Sequence, residues 1–127
     1  MDEKIFQDVF ELIEGYLPEK WTQTVFFAGY TIGSYSMKFY SRTEDEDFID
    51  CFKMNEISRE TLIKVFRKIN SVLSSQRDAL PEEKKWTVFT LIVDSDLHMK
   101  ALFEYEDHTE DLIEYEENWR TKFLRKE

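Results

Sequence analysis

The sequence predicts an α+β domain built on an antiparallel five-stranded sheet with helices packed on it, in the order α-β-β-β-α-β-β-α. Three observations carry this prediction. Apolar residues recur at helical spacing in three separate stretches, at the start, in the middle and at the end of the chain. Between those stretches lie segments rich in β-branched and aromatic residues, the composition that packs on a pleated surface. The strand-like segments are joined by short turns, which pairs them antiparallel and leaves helices to cover one face of the sheet.

From Lys4 to Leu17, apolar residues at Ile5, Val9, Leu12, Ile13 and Tyr16, widened by Phe6, Phe10 and Leu17, form a helical stripe. Pro18 cannot continue it, so the helix ends between Gly15 and Pro18. Thr22 to Ile32 reads as a strand. After Gly33, Ser34 to Arg42 alternates, with Tyr35, Met37 and Phe39 on one face and Ser36, Lys38 and Tyr40 on the other. The two form a hairpin, and after the acidic loop Glu44, Asp45, Glu46 and Asp47 a third short strand is expected around Phe48 to Lys53.

Ser58 is suited to cap the clearest helix, which places Leu62, Val65, Phe66, Ile69, Val72 and Leu73 on one face and stops near Pro81. Trp86 to Val93 reads as the fourth strand. A turn at Asp94-Ser95-Asp96 returns the chain as a fifth strand, Leu97 to Tyr105, with Leu97, Met99, Ala101, Phe103 and Tyr105 on one face. Thr109 is placed to cap the last helix, with Glu110 and Asp111 in its first turn and Lys122, Arg125 and Lys126 near its end, charges that complement the helix dipole. Leu112, Tyr115, Trp119 and Phe123 supply its packing face.

A chain of 127 residues suits one domain, 1–127, and its eleven Phe, six Tyr and three Trp supply ample apolar surface for a core. Seventeen basic against twenty-seven acidic residues leave a net charge of −10. That charge repels phosphate backbones and anionic membranes within a Debye length of about 8 Å, so neither nucleic acid nor a membrane is expected as a direct partner. A basic protein is the expected one. The lone Cys51 excludes an internal disulfide and fits a reducing compartment, and the acidic first residues do not resemble a secretion signal; a cytoplasmic location follows as the expectation.

Chemistry of the enzymatic kind finds little support. His98 and His108, beside Glu104, Glu106 and Asp107, lack the spacing that would converge metal ligands, and no metal or other cofactor is expected. Cys51 has no histidine near it in sequence and reads as a buried small hydrophobe. Three glycines leave no phosphate-cradling loop, and the many carboxylates sit in polar runs rather than in desolvated pairs. No catalytic residue is assigned.

One charge feature exceeds what composition requires. From Ala101 to Trp119 there is no Lys or Arg, while Glu104, Glu106, Asp107, Glu110, Asp111, Glu114, Glu116 and Glu117 are interleaved with aromatic rings. Carboxylates pair bidentately with Arg, and rings make interface anchors, so the stretch reads as a surface for a basic partner. The alternative is a solvated helix face whose rings, Trp119 and Phe123 first, point into the core. The expected partner-binding residues are Glu104, Glu106, Asp107, Glu110, Asp111, Glu114 and Tyr115, then Glu44, Asp45, Glu46 and Asp47.

Several local words, in order, resemble the YezG-like immunity family, antitoxins of secreted bacterial nuclease toxins. They are Leu17-Pro18-Glu19-Lys20-Trp21 after an amphipathic helix, Phe39-Tyr40, the long helix from Ser58, and Trp86-Thr87 opening a strand. Phe103-Glu104-Tyr105-Glu106-Asp107 and Trp119-Arg120-Thr121-Lys122-Phe123-Leu124 follow. The turn at Asp94-Ser95-Asp96 departs from the family pattern in lacking a glycine. The resemblance implies a cytoplasmic protein, not an enzyme, that binds and blocks a cognate toxin's nuclease domain. A second reading of the same charge is an acidic adaptor or chaperone for a secreted basic protein, without inhibitory activity.

Overall fold

The computed structural model describes residues 3–124. Helix α1 (Glu3–Glu14) leads through a turn closed by Tyr16 and Leu17 N–H bonds to Ile13 and Glu14 carbonyls into β1 (Trp21–Thr31) and β2 (Ser34–Thr43). After β3 (Ile49–Asp50) come α2 (Arg59–Asp78), β4 (Val88–Asp94), β5 (Met99–Glu104) and α3 (Leu112–Phe123). The five strands form one antiparallel sheet in the order β3-β2-β1-β4-β5, so the predicted class and element order stand. The central strand β1 pairs with β2 on one side and β4 on the other, and β5 is an edge.

Helices cover both faces of the sheet, not one. The first face buries Phe26, Ala28, Met37, Phe39, Phe89 and Leu91 under α1 and α2, which contribute Val9, Phe10, Ile13, Leu62, Phe66, Ile69 and Leu73. The second face buries Val25, Phe27, Tyr40 and Val88 under Trp119 of α3. This is why Val25, Phe26, Phe27 and Ala28 run on without polar interruption: a strand covered twice has no solvent face to mark. On the first face the buried Thr24 and Ser41 hydroxyls pair at 2.9 Å, and on the second Trp119 Nε1–H donates to Thr90 Oγ1 at 2.9 Å. Gly29 belongs to this layer, since a Cβ there would meet the Phe27 ring at 2.9 Å and Leu112 at 3.4 Å.

Ser58 caps α2 as expected, its hydroxyl accepting from Thr61 N–H at 3.1 Å. Thr109 does not cap α3. Its hydroxyl is turned to Asp107, and the helix starts three residues later with Asp111 at the N-cap position. Arg125 and Lys126, expected near the end of α3, lie outside the described residues. The third strand is only two residues long, because Asp50 takes the Phe52 N–H at 2.9 Å and winds Cys51–Lys53 into a 3₁₀ turn.

The fourth strand begins at Val88 rather than Trp86, and the fifth is shorter than expected at both ends. At the β4–β5 turn, Leu97 N–H bonds Asp94 O at 2.8 Å and Asp94 N–H bonds His98 O at 3.0 Å, a three-residue loop whose last position is left-handed. Leu97 fills it at φ 69°. Glycine takes that conformation freely, whereas an L side chain costs about 1–2 kcal/mol.

Candidate partner-binding surface

Strand register divides the expected binding residues between two ends of the sheet. Gly29 pairs with Val88 and Val88 with Glu104, so Glu104 and the loop after it lie at the end that carries the β1–β2 turn. Trp21 pairs with Thr43 and Gln23 with Asp94, which puts Glu44, Asp45, Glu46 and Asp47 at the other end. The 11 residues of β1 at about 3.3 Å each separate the two groups by roughly 33 Å. All four loop acids are exposed, and Asp45 takes a left-handed turn position at φ 67°.

At the first end the acids are held by a specific loop. Asp107 accepts from Thr109 N–H at 2.9 Å and from the Thr109 hydroxyl, and these bonds hold its carboxyl below the usual range, so it stays ionised. Thr109 Oγ1 in turn accepts the Ile32 N–H at 3.2 Å, which ties the loop to the β1–β2 turn. Gly33, at φ 77°, lets that turn close. The result is a shallow cleft of about 400 Å³ lined by Ile32, Asp107, Thr109, Glu110 and Asp111.

Glu110 in this cleft, and Glu106 and Glu114 on the same segment, are exposed and make no ion pair among the described residues. Glu114 sits in the first turn of α3, where the helix dipole favours negative charge. Asp111 is engaged locally, its carboxylate 3.0 Å from Nδ1 of the buried His108. Glu104 and Tyr115 are engaged with each other: the Tyr115 hydroxyl donates to the Glu104 carboxylate, and its ring lies 4.1 Å from that of His108. Burial first, then this carboxylate, pushes the phenol pKa well up. Tyr115 is half-buried and anchors α3 to β5. The more exposed rings and chains are others: Ile32 is 81% exposed, Ile113 77% and Tyr105 59%.

Ile32 and Ile113 carry little signal in the sequence. Ile32 lies at the end of a strand pattern and reads as part of it. Ile113 follows the acids directly in sequence and offered the only local signal, an apolar residue off the packing stripe of α3.

The other chemistry-bearing residues do not assemble. His98 is exposed at the β4–β5 turn with its Nδ1 2.9 Å from Asp96, at the far end of β5 from His108. Among the described residues no group of three or more His, Cys, Asp or Glu is placed to hold a metal ion. Cys51 is fully buried, in the 3₁₀ turn rather than in a strand, and burial pushes its thiol up to about 12, which removes the thiolate a nucleophile needs. No helix among the described residues is long and apolar enough to cross a membrane.

No curated protein matches the chain at a significant level. A family model does, over residues 3–125, and it is that of the YezG-like immunity proteins. The match takes in all three helices, all five strands and the acidic loop between β5 and α3, so the chain belongs to the YezG-like immunity protein family.

Proposed function

We propose that this immunity protein neutralises the nuclease domain of a cognate secreted toxin in the cytoplasm, binding it through the acidic end of the sheet. The observation that carries the reading is the exposed acidic run Glu106, Asp107, Glu110 and Glu114 between β5 and the first turn of α3, with exposed Ile32 beside Asp107 and Glu110 in the cleft and exposed Ile113 next to Glu114 in sequence. Unpaired carboxylates beside exposed aliphatic side chains suit a basic protein surface: the charges steer and pair with Arg or Lys, and the apolar chains anchor. A nuclease has to bind phosphate and therefore presents basic charge, so an acidic inhibitor can occupy or cover that cleft. Inhibition is stoichiometric, without chemistry on the immunity protein.

The uneven placement of charge supports the same approach. Helix α2 carries Arg59, Lys64, Arg67, Lys68 and Arg77 against Glu60 and Asp78, so part of the molecule is basic while the β5 to α3 segment is acidic. Such a molecule presents its acidic side to a basic partner.

Glu106→Lys, Glu110→Lys and Glu114→Lys combined should abolish protection when the toxin's nuclease domain is co-expressed. Undiminished protection by the folded triple variant would remove this end as the interface. An in vitro cleavage assay with saturating immunity protein separates inhibition from simple holding, since full cleavage would favour an adaptor.

A further inference from the structure

A second feature of the molecule, at the opposite end of β5, is shaped to receive a side chain. Between α1 and the start of β5 lies an open groove of about 400 Å³ with Phe6, Phe10, Leu97 and Met99 as its apolar lining. Glu3, Gln7, Glu11 and Glu14 line it as well, a stripe at spacings of four, four and three that runs down one flank of the helix. All of these three acids are exposed, and within α1 only Lys4 is basic. An apolar slot with a carboxylate rim is complementary to an apolar side chain flanked by Lys or Arg.

Leu97 is the second, independent observation. It is 57% exposed and holds a left-handed conformation that glycine would adopt without strain. The side chain thus works against the hairpin and buries little of itself in the fold, yet it forms a wall of the groove. Its partner wall, Met99, is partly buried and adaptable in shape.

We infer that this groove is a second contact site for the basic partner, taking an aliphatic anchor that is flanked by basic residues. The inference rests on the reading of a basic partner given above. Because β5 is the edge of the sheet, with the groove at one end and the Asp107 loop beyond the other, a partner lying along that edge reaches both. The roughly 30 Å between Leu97 and Glu106 along an extended chain is within the width of a small domain.

The test is an NMR titration of the full ¹⁵N-labelled chain with a short peptide carrying paired central leucines between paired lysines. Amide shifts should concentrate at Phe6, Phe10, Leu97 and Met99. The same peptide with glycines for leucines, or glutamates for lysines, should move those signals far less. Leu97→Gly, which leaves the hairpin in a conformation glycine prefers, should weaken binding about tenfold, the size expected for partial burial of one leucine. Glu11→Lys with Glu14→Lys should weaken it as well and flatten its salt dependence. Shifts that are absent, that fall only around Asp107 to Glu114, or that Leu97→Gly leaves unchanged would overturn the assignment. The peptide owes nothing to any toxin, so a failed cleavage-inhibition assay with an intact titration removes the nuclease reading alone. The reverse pattern removes only the groove.

Discussion

Leu97 holds the loop position that glycine usually fills, and its strain sets a simple expectation for stability. Leu97→Gly should raise the unfolding free energy by about 0.5–1 kcal/mol, read as a higher urea midpoint, once the added freedom of the unfolded chain offsets part of the relieved strain. An unchanged or lower midpoint would show that groove contacts with Phe6 and Met99 hold the leucine in place. Cys51 gives a second residue-scale expectation. Its thiol is pushed from 9.0 in the exposed state up to about 12 by burial, so the unfolded chain loses its proton first as pH rises. The contribution of this group to stability is complete below about pH 9 and falls away toward pH 12, and Tyr40, also raised to about 12 by burial, adds to the same slope. Replacing Cys51 with Ala should flatten part of that alkaline limb in denaturation curves. Alkylation at pH 8 should proceed only as fast as the protein unfolds.

At the scale of elements, α3 has the most to explain, because it packs alone on its face of the sheet. Its one buried side chain among those described lies at the centre of that contact: Trp119 stacks edge-on to Phe27 at 4.9 Å, lies 5.7 Å from Tyr40 and 5.3 Å from Phe123, and donates to Thr90. Trp119→Ala should cost about 3–5 kcal/mol, enough to threaten a domain of this size. If calorimetry found the melting temperature unmoved, α3 would not be the cover of the second face. Helix α2 is a contrast, since its apolar stripe and its Ser58 cap both read directly from sequence. The late start of α3 did not, because Thr109 is a good cap by type and only the Asp107 and Ile32 contacts show it otherwise employed.

For the whole molecule, charge placement matters more than the total of −10. Acids cluster around the β5–α3 loop, along α1 and in the Glu44 to Asp47 loop, while α2 is basic. Association with a basic nuclease domain should therefore slow steeply with added salt while dissociation changes little, because steering acts over the Debye length and the lifetime depends on buried anchors. Stopped-flow binding at increasing ionic strength reads both rates. An association rate indifferent to salt would rule out electrostatic steering and leave the apolar chains, Ile32 and Ile113 among them, to account for recognition.

By itself the sequence determined the antiparallel α+β class, the element order and the family, because helical spacing, alternation and local words are properties of short stretches. Tyr35, Met37 and Phe39 alternate with Ser36, Lys38 and Tyr40 as the two faces of β2 require, and Ser58 announces α2. The second helical layer was hidden, since a run such as Val25 to Ala28 shows that a strand is buried but not what buries it. The separation of the acidic groups was hidden too. Residues 44–47 and 104–114 look alike as text, and only strand register sends them to opposite ends of a sheet roughly 33 Å long. Proximity between distant residues is a tertiary property, set by how the strands pair. Pairing brings the β1–β2 turn to the Asp107 loop, where Ile32 N–H reaches Thr109, and the packing of α1 on the sheet sets its acidic flank opposite Leu97.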